Sequence, residues 1–126
     1  MSTTTVLIVE DDADLRSAVK TALEAESFEV IEATDGVEGY QAALAHHPDV
    51  ILLDILMPNM NGHEALAKIR DDNWGKDARV IFLTSFSDAE NVVHAVERGS
   101  DVYIVKNNTT LEEIVQKVKQ TIHGYV

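Results

Sequence analysis

Four short apolar runs, Val6–Val9, Val50–Leu53, Val80–Leu83 and Val102–Val105, constrain this chain more than any other feature. Each is a continuous block in which Val and Ile are prominent and polar residues do not alternate with apolar ones. A strand that is wet on one face alternates, so unbroken runs of this length suit strands buried on both faces. That environment exists in a parallel sheet covered by helices on each side. A fifth, weaker run at Phe28–Ile31 is closer to alternating.

The segments between the runs carry helical period. Leu15, Val19, Ala22 and Leu23 share one face of a first helix, α1, and Leu111, Ile114, Val115, Val118 and Ile122 share one face of a last helix, α5. Helix starts are marked by a capping side chain three residues before a Glu, at Asp35–Glu38, Asn61–Glu64, Ser87–Glu90 and Thr109–Glu112. Asp35 opens α2, which closes at His46-His47, and Asn61 opens α3, which ends before an irregular stretch at Asp71–Asp77. Ser87 opens α4, and Gly99 suits its left-handed C-cap. Strict alternation of five strands (β1–β5) with five helices predicts an α/β fold: a five-stranded parallel sheet of order 2-1-3-4-5 with helices on both faces, doubly wound and flavodoxin-like.

Composition narrows the class. The 126 residues suit one domain, expected over 1–126 with a core of about 5–123 and no effector domain. There are 22 Asp and Glu against 10 Lys and Arg, a formal charge of −12, which argues against direct contact with nucleic acid or anionic lipid. With no cysteine there is no disulfide framework or thiolate site. No apolar run approaches the roughly 18 residues of a membrane span, and Met1–Thr5 lacks the basic start of a signal peptide. The expectation is a cytoplasmic protein, a monomer or weak dimer, that does not engage membranes.

In this fold, ligands bind beyond the carboxyl ends of the strands, at the switch between β1 and β3. Polar residues follow the runs there: Glu10, Asp11 and Asp12 after Val9, Asp54 after Leu53, Thr84 and Ser85 after Leu83, and Lys106 after Val105. Carboxylates gathered at one crevice repel by about 1 kcal/mol per pair in water. A hard divalent cation such as Mg²⁺ would hold them ionised together. Lys106 adds an ammonium and Thr84 a hydroxyl that could meet an incoming oxyanion. Together these groups describe a phosphoryl-handling site. Asp54, enclosed by Val-Ile-Leu-Leu and Ile-Leu-Met-Pro, is the candidate nucleophile, because a carboxylate can accept a phosphoryl group. Glu10 and Asp11, read as a more open loop, suit metal binding. Asp12 is expected to cap α1 rather than bind a ligand.

Along its length from Val6 to about His123, the chain resembles the receiver (phosphoacceptor) domain of the two-component response regulator family, stand-alone or excised. The resemblance is carried by Val-Leu-Ile-Val-Glu10-Asp11-Asp12, by Leu-Leu-Asp54-Ile-Leu-Met57-Pro58-Asn-Met-Asn-Gly62, by Ile-Phe-Leu-Thr84-Ser85, and by Gly99-Ser-Asp-Val-Tyr103-Ile-Val-Lys106. It implies that Asp54 accepts a phosphoryl group from a sensor histidine kinase or phosphotransfer protein. It implies that Asp11, Asp54 and the Leu56 carbonyl bind Mg²⁺, with Glu10 acting through water. Lys106 and Thr84 would contact the phosphoryl oxygens, and Tyr103 would be the switch aromatic moving with Thr84. The α4-β5-α5 face, with His94, Glu97, Arg98, Gln116 and Lys117, would report the change to an unknown downstream protein. Such a domain is not a turnover enzyme but a phosphoacceptor that promotes its own phosphoryl transfer and slow dephosphorylation.

One residue departs from the family pattern: Asn107 replaces the proline that usually follows the lysine. A cis bond to a non-proline residue costs about 2.5–4 kcal/mol, so the Lys106–Asn107 bond is expected to be trans and the β5–α5 loop rearranged. This leaves a receiver-like interaction domain not regulated by phosphorylation as an alternative. A haloacid-dehalogenase-like phosphatase is suggested by Asp12-Ala13-Asp14, but it leaves Asp54 without a role. A flavin carrier would need a phosphate cradle after β1, where three acidic residues stand instead. His63-Glu64 begins a zinc-protease helix motif, but Ala67 occupies the second histidine position.

Overall fold

A computed structural model describes residues 3–84, 102–106 and 109–123, apart from the side chains of Thr84, Val102 and Tyr103. The strands are β1 (Thr5–Val9), β2 (Glu29–Ala33), β3 (Val50–Asp54), β4 (Val80–Thr84) and β5 (Val102–Val105). The helices are α1 (Ala13–Glu24), α2 (Gly36–His46), α3 (Gly62–Arg70) and α5 (Leu111–His123), and a single 3-10 turn spans Gly75–Asp77. The α4 expected between Ser87 and Gly99 lies outside the described residues, as do Ser85, Phe86, His94, Glu97, Arg98 and Asn107.

All strand pairs are parallel, in the order β2-β1-β3-β4-β5. The runs of β1, β3 and β4 are buried on both faces because successive side chains point to opposite sides of the sheet. Leu7, Val9, Ile51, Leu53, Val80 and Phe82 pack beneath α2 and α3 against Ala43, Ala65, Leu66 and Ile69. Val6, Ile8, Val50, Leu52, Ile81, Leu83 and Ile104 pack on the other side against Val19 and Leu23 of α1 and Ile114, Val115 and Val118 of α5. Burying a side chain of this size contributes about 1.5–3 kcal/mol. Two continuous layers therefore fix the sheet between its helices.

Local signals in the sequence have local causes in the structure. Asp12 caps α1, its Oδ1 accepting from the Asp14 and Leu15 amides, and Asp35 caps α2 through the Glu38 amide. Asn61 and Glu64 form a reciprocal capping box at α3. His47 ends α2 in the left-handed region at φ 48° and stacks on Trp74, with ring centroids 4.5 Å apart. Two expectations need correction. The weak second strand lies at Glu29–Ala33 rather than Phe28–Ile31, since an edge strand that is only half buried gives a poor pattern. The cap of α5 is Thr110, whose Oγ1 accepts from the Glu113 amide, whereas the Thr109 hydroxyl donates to the Val105 carbonyl. Among the described residues, no helix is long and apolar enough to cross a membrane.

Candidate functional site

The carboxyl ends of β1 and β3 lie side by side, with Val9 opposite Leu53 in register. The next residues therefore meet across the switch point. Oxygens of Glu10, Asp11 and Asp54 come within 4.8 Å of one another. Lys106, following β5, joins them: its Nζ lies 2.7 Å from Glu10 Oε1 and 3.0 Å from Asp54 Oδ1. Asp54 is 3% exposed and Glu10 is fully buried, so Glu10 is not in the open loop that its sequence suggested. Asp11 remains exposed.

Were all three carboxylates ionised, one ammonium would leave two net negative charges around the buried Glu10 and Asp54. Burial is the main force raising the Asp54 carboxyl, and the charge and hydrogen bond of Glu10 add to it. Lys106 opposes them, and Asp54 ends at about 8. Burial pulls the Lys106 ammonium down, but its hydrogen bonds and the charges of Glu10 and Asp54 outweigh that, so it ends above its ordinary value. Hard oxygen donors that repel each other when ionised fit a divalent cation such as Mg²⁺, which favours their ionised forms, takes one or two carboxylates and keeps several waters.

The site is held by contacts that its sequence pattern did not announce. Arg16 donates from Nη1 to the Glu10 carbonyl at 2.8 Å and pairs through Nε with Glu32 at 3.3 Å, tying the β1–α1 turn to β2. The only sequence signal was a basic residue one turn into α1. Glu10 Oε2 accepts from the Asp12 amide at 3.0 Å. Asp12 itself caps α1 and Asp14 is helical, so the Asp-x-Asp pair does not present two carboxylates to a phosphate.

Thr84 ends β4 opposite Val105, and Tyr103 of β5 pairs with Phe82 of β4, but the side chains of Thr84 and Tyr103 lie outside the described residues. The expectation for the Lys106–Asn107 bond also rests on a residue outside them. Leu56 is 57% exposed at the rim of the site.

Gly62 lets α3 start directly over Asp54. A Cβ there would lie 2.4 Å from the Asp54 carbonyl oxygen, and the Gly62 amide donates to Ile55 at 2.8 Å. Because the obstructing atom is backbone, Gly62→Ala is expected to destabilise the protein by about 1–3 kcal/mol, read as a lower urea midpoint. An unchanged midpoint would show that the strand end can yield.

A sheet of this order, with an acidic, lysine-bearing crevice at the β1/β3 switch, defines a flavodoxin-like doubly wound α/β domain. The chain belongs to the response regulator receiver domain family, whose model matches residues 6–119, and so to the proteins of two-component signalling. It is 39% identical over 114 residues to the transcriptional regulatory protein SrrA of Staphylococcus aureus, a match covering 90% of this chain and 46% of that protein. The chain thus spans about half the length of the curated relatives it matches. Among solved structures it is similar to the chemotaxis protein CheY4 of Vibrio cholerae, with TM-score 0.88 and 27% identity over 95% of this chain and 99% of that one. It is also similar to a CheY-like receiver domain protein of Methanospirillum hungatei, with TM-score 0.89 and 30% identity over 97% and 95% of the two chains.

Proposed function

We propose that this chain is a phosphorylation-dependent switch that accepts a phosphoryl group on Asp54 from a sensor histidine kinase or phosphotransfer protein. The observation that carries this reading is the buried Asp54 carboxylate at the end of the central strand, with Glu10 and Asp11 beside it and Lys106 Nζ at 3.0 Å. An Asp54 oxygen forms a bond to phosphorus as the phosphorus–nitrogen bond of the donor phosphohistidine breaks. The electron pair and a proton go to the departing imidazole.

Asp11, Asp54 and the Leu56 carbonyl would hold Mg²⁺, with Glu10 acting through water. At that place Mg²⁺ supplies neutralisation of the phosphoryl and carboxylate charge. Lys106 would exchange its carboxylate partners for a phosphoryl oxygen, and Thr84 would contact another. Tyr103 would follow Thr84, biasing a pre-existing equilibrium that the α4-β5-α5 face reports to a downstream protein. Gln116 and Lys117 are exposed on α5 and available for that contact. Residues 1–126 would form one receiver domain acting in the cytoplasm, a monomer or weak dimer that itself makes no direct nucleic-acid contact. It would be a phosphoacceptor rather than a turnover enzyme.

The test is exposure to a small-molecule phosphodonor with and without Mg²⁺, followed by intact mass. One phosphoryl group should add only with Mg²⁺, and none to Asp54→Asn. A mass gain that survives that substitution would remove the assignment. No gain in the wild type would favour the alternative that Asn107 keeps open, a receiver-like module not regulated by phosphorylation.

A further inference from the structure

We propose that Asp35 is a positioning residue for the cation-binding limb of the site, acting through Asn59; this rests on the metal-site reading above. The limb is the β3–α3 connection, 55–61, which carries Leu56. Its far end is fastened by the Asn61–Glu64 capping box and by the Gly62 amide on Ile55. Met57 and Met60 pack against the core below it. At its outer bend, Asn59 Nδ2 donates to Asp35 Oδ2 at 2.8 Å.

The platform that receives this bond is tied by further hydrogen bonds. Asp35 Oδ1 accepts from the Glu38 amide at 2.8 Å, and Glu38 returns to the Thr34 amide and hydroxyl at 3.2 and 3.1 Å. One carboxylate therefore caps α2 with one oxygen and latches the limb with the other. The two segments also meet at Gly36, where a Cβ would lie 2.2 Å from the Met60 carbonyl oxygen. Only a residue without a side chain lets the limb sit this close.

Asn59 stands in the left-handed region at φ 69°. Glycine meets that backbone demand better than asparagine, so the amide is accounted for by what it reaches. The link also holds the Asp35 carboxyl below its ordinary value, behind the larger effect of the Glu38 amide. Groups that hold a metal ligand from outside commonly change affinity about ten- to a hundredfold without touching the ion. A latch one step further out, on the loop that carries the ligand, is expected to change it less.

Two substitutions break the latch, and a third controls for charge. Asn59→Gly keeps the left-handed backbone and changes no charge. Asp35→Ser keeps a capping oxygen but is too short to hold both partners. Asp35→Asn removes the charge while preserving the latch, since Asn59 can turn its amide to present oxygen. Mg²⁺ affinity of the whole chain is measured by titration calorimetry, alongside melting temperature in EDTA. Asn59→Gly and Asp35→Ser are each expected to weaken Mg²⁺ about fivefold, the double variant no further than the weaker single, and Asp35→Asn by less than about twofold. Wild-type affinity in both singles, or losses that multiply in the double variant, would overturn the proposal. So would an affinity loss matched by a large fall in the metal-free melting temperature, because the link would then only stabilise the loop. Absence of Mg²⁺ binding by the wild type would overturn it together with the metal-site reading; binding by the wild type with unchanged variants would overturn the latch alone.

Discussion

Lys106→Met is expected to lower the unfolding free energy of the metal-free protein by about 3 kcal/mol at pH 9, more than a hundredfold in the folding equilibrium. Methionine keeps the length and apolar stem of the side chain, so packing changes little. What disappears is the ammonium 2.7 Å from the buried Glu10 carboxylate and 3.0 Å from Asp54. Removing one partner of a buried pair leaves charge without compensation, which costs more than the pair contributed. At pH 6 the loss should shrink, because the Asp54 carboxyl, already raised by burial, holds a proton instead of staying ionised. Saturating Mg²⁺ should restore much of the stability, since a divalent cation substitutes for the missing charge. Urea unfolding at the two pH values, in EDTA and in Mg²⁺, reads all three effects. Equal midpoints for the two proteins at pH 9 in EDTA would show that the lysine does not hold the site together.

The second large effect is a pH-dependent gap between the wild type and Asp54→Asn without metal. In the folded protein burial and Glu10 hold the Asp54 carboxyl at about 8, against about 3.9 for an ordinary aspartate in the unfolded chain. Between these values the folded state keeps a proton that the unfolded state has released. The contribution of Asp54 to stability is therefore fully present below about pH 4 and is lost as the pH rises through about 8. Asparagine does not titrate, so Asp54→Asn should match the wild type near pH 4. It should become more stable than the wild type with rising pH, by up to about 1.4 kcal/mol per unit within the window. Mg²⁺, which favours the ionised carboxylate, should close the gap at pH 8. Urea midpoints across the range in EDTA check this, and a gap that stays constant with pH would contradict a buried, proton-holding Asp54.

Much of the fold was legible because burial on both faces leaves a local mark. Val50–Leu53 and Val102–Val105 are the strands themselves or nearly so, and Asp35 and Asn61 cap the helices they precede. Where two readings were locally equal, the sequence could not choose. Thr109 and Thr110 are each followed three residues later by a Glu, at 112 and 113, and only the seating of the chain after β5 sends Thr109 to Val105 and leaves Thr110 as the cap. Glu10 looked like an open-loop acid because its sequence neighbours are acidic. Its burial comes from β2, whose Ala33 carbonyl accepts its amide at 3.1 Å, and from Lys106, almost a hundred residues along the chain.

By itself, the sequence determined that strands β1, β3 and β4 are buried on both faces, that strands alternate with helices, and that acidic residues, a threonine and a lysine stand where strands end. Those are properties of short windows, written in periodicity and in the residue that follows each run. The tertiary structure decided which of those ends share one charge balance: Glu10 inside rather than outside, Lys106 between it and Asp54, and Asp35 reaching Asn59 across two loops. Such pairings join segments distant in sequence, and their energies depend on dielectric and distance, which exist only once the sheet has closed between its helices.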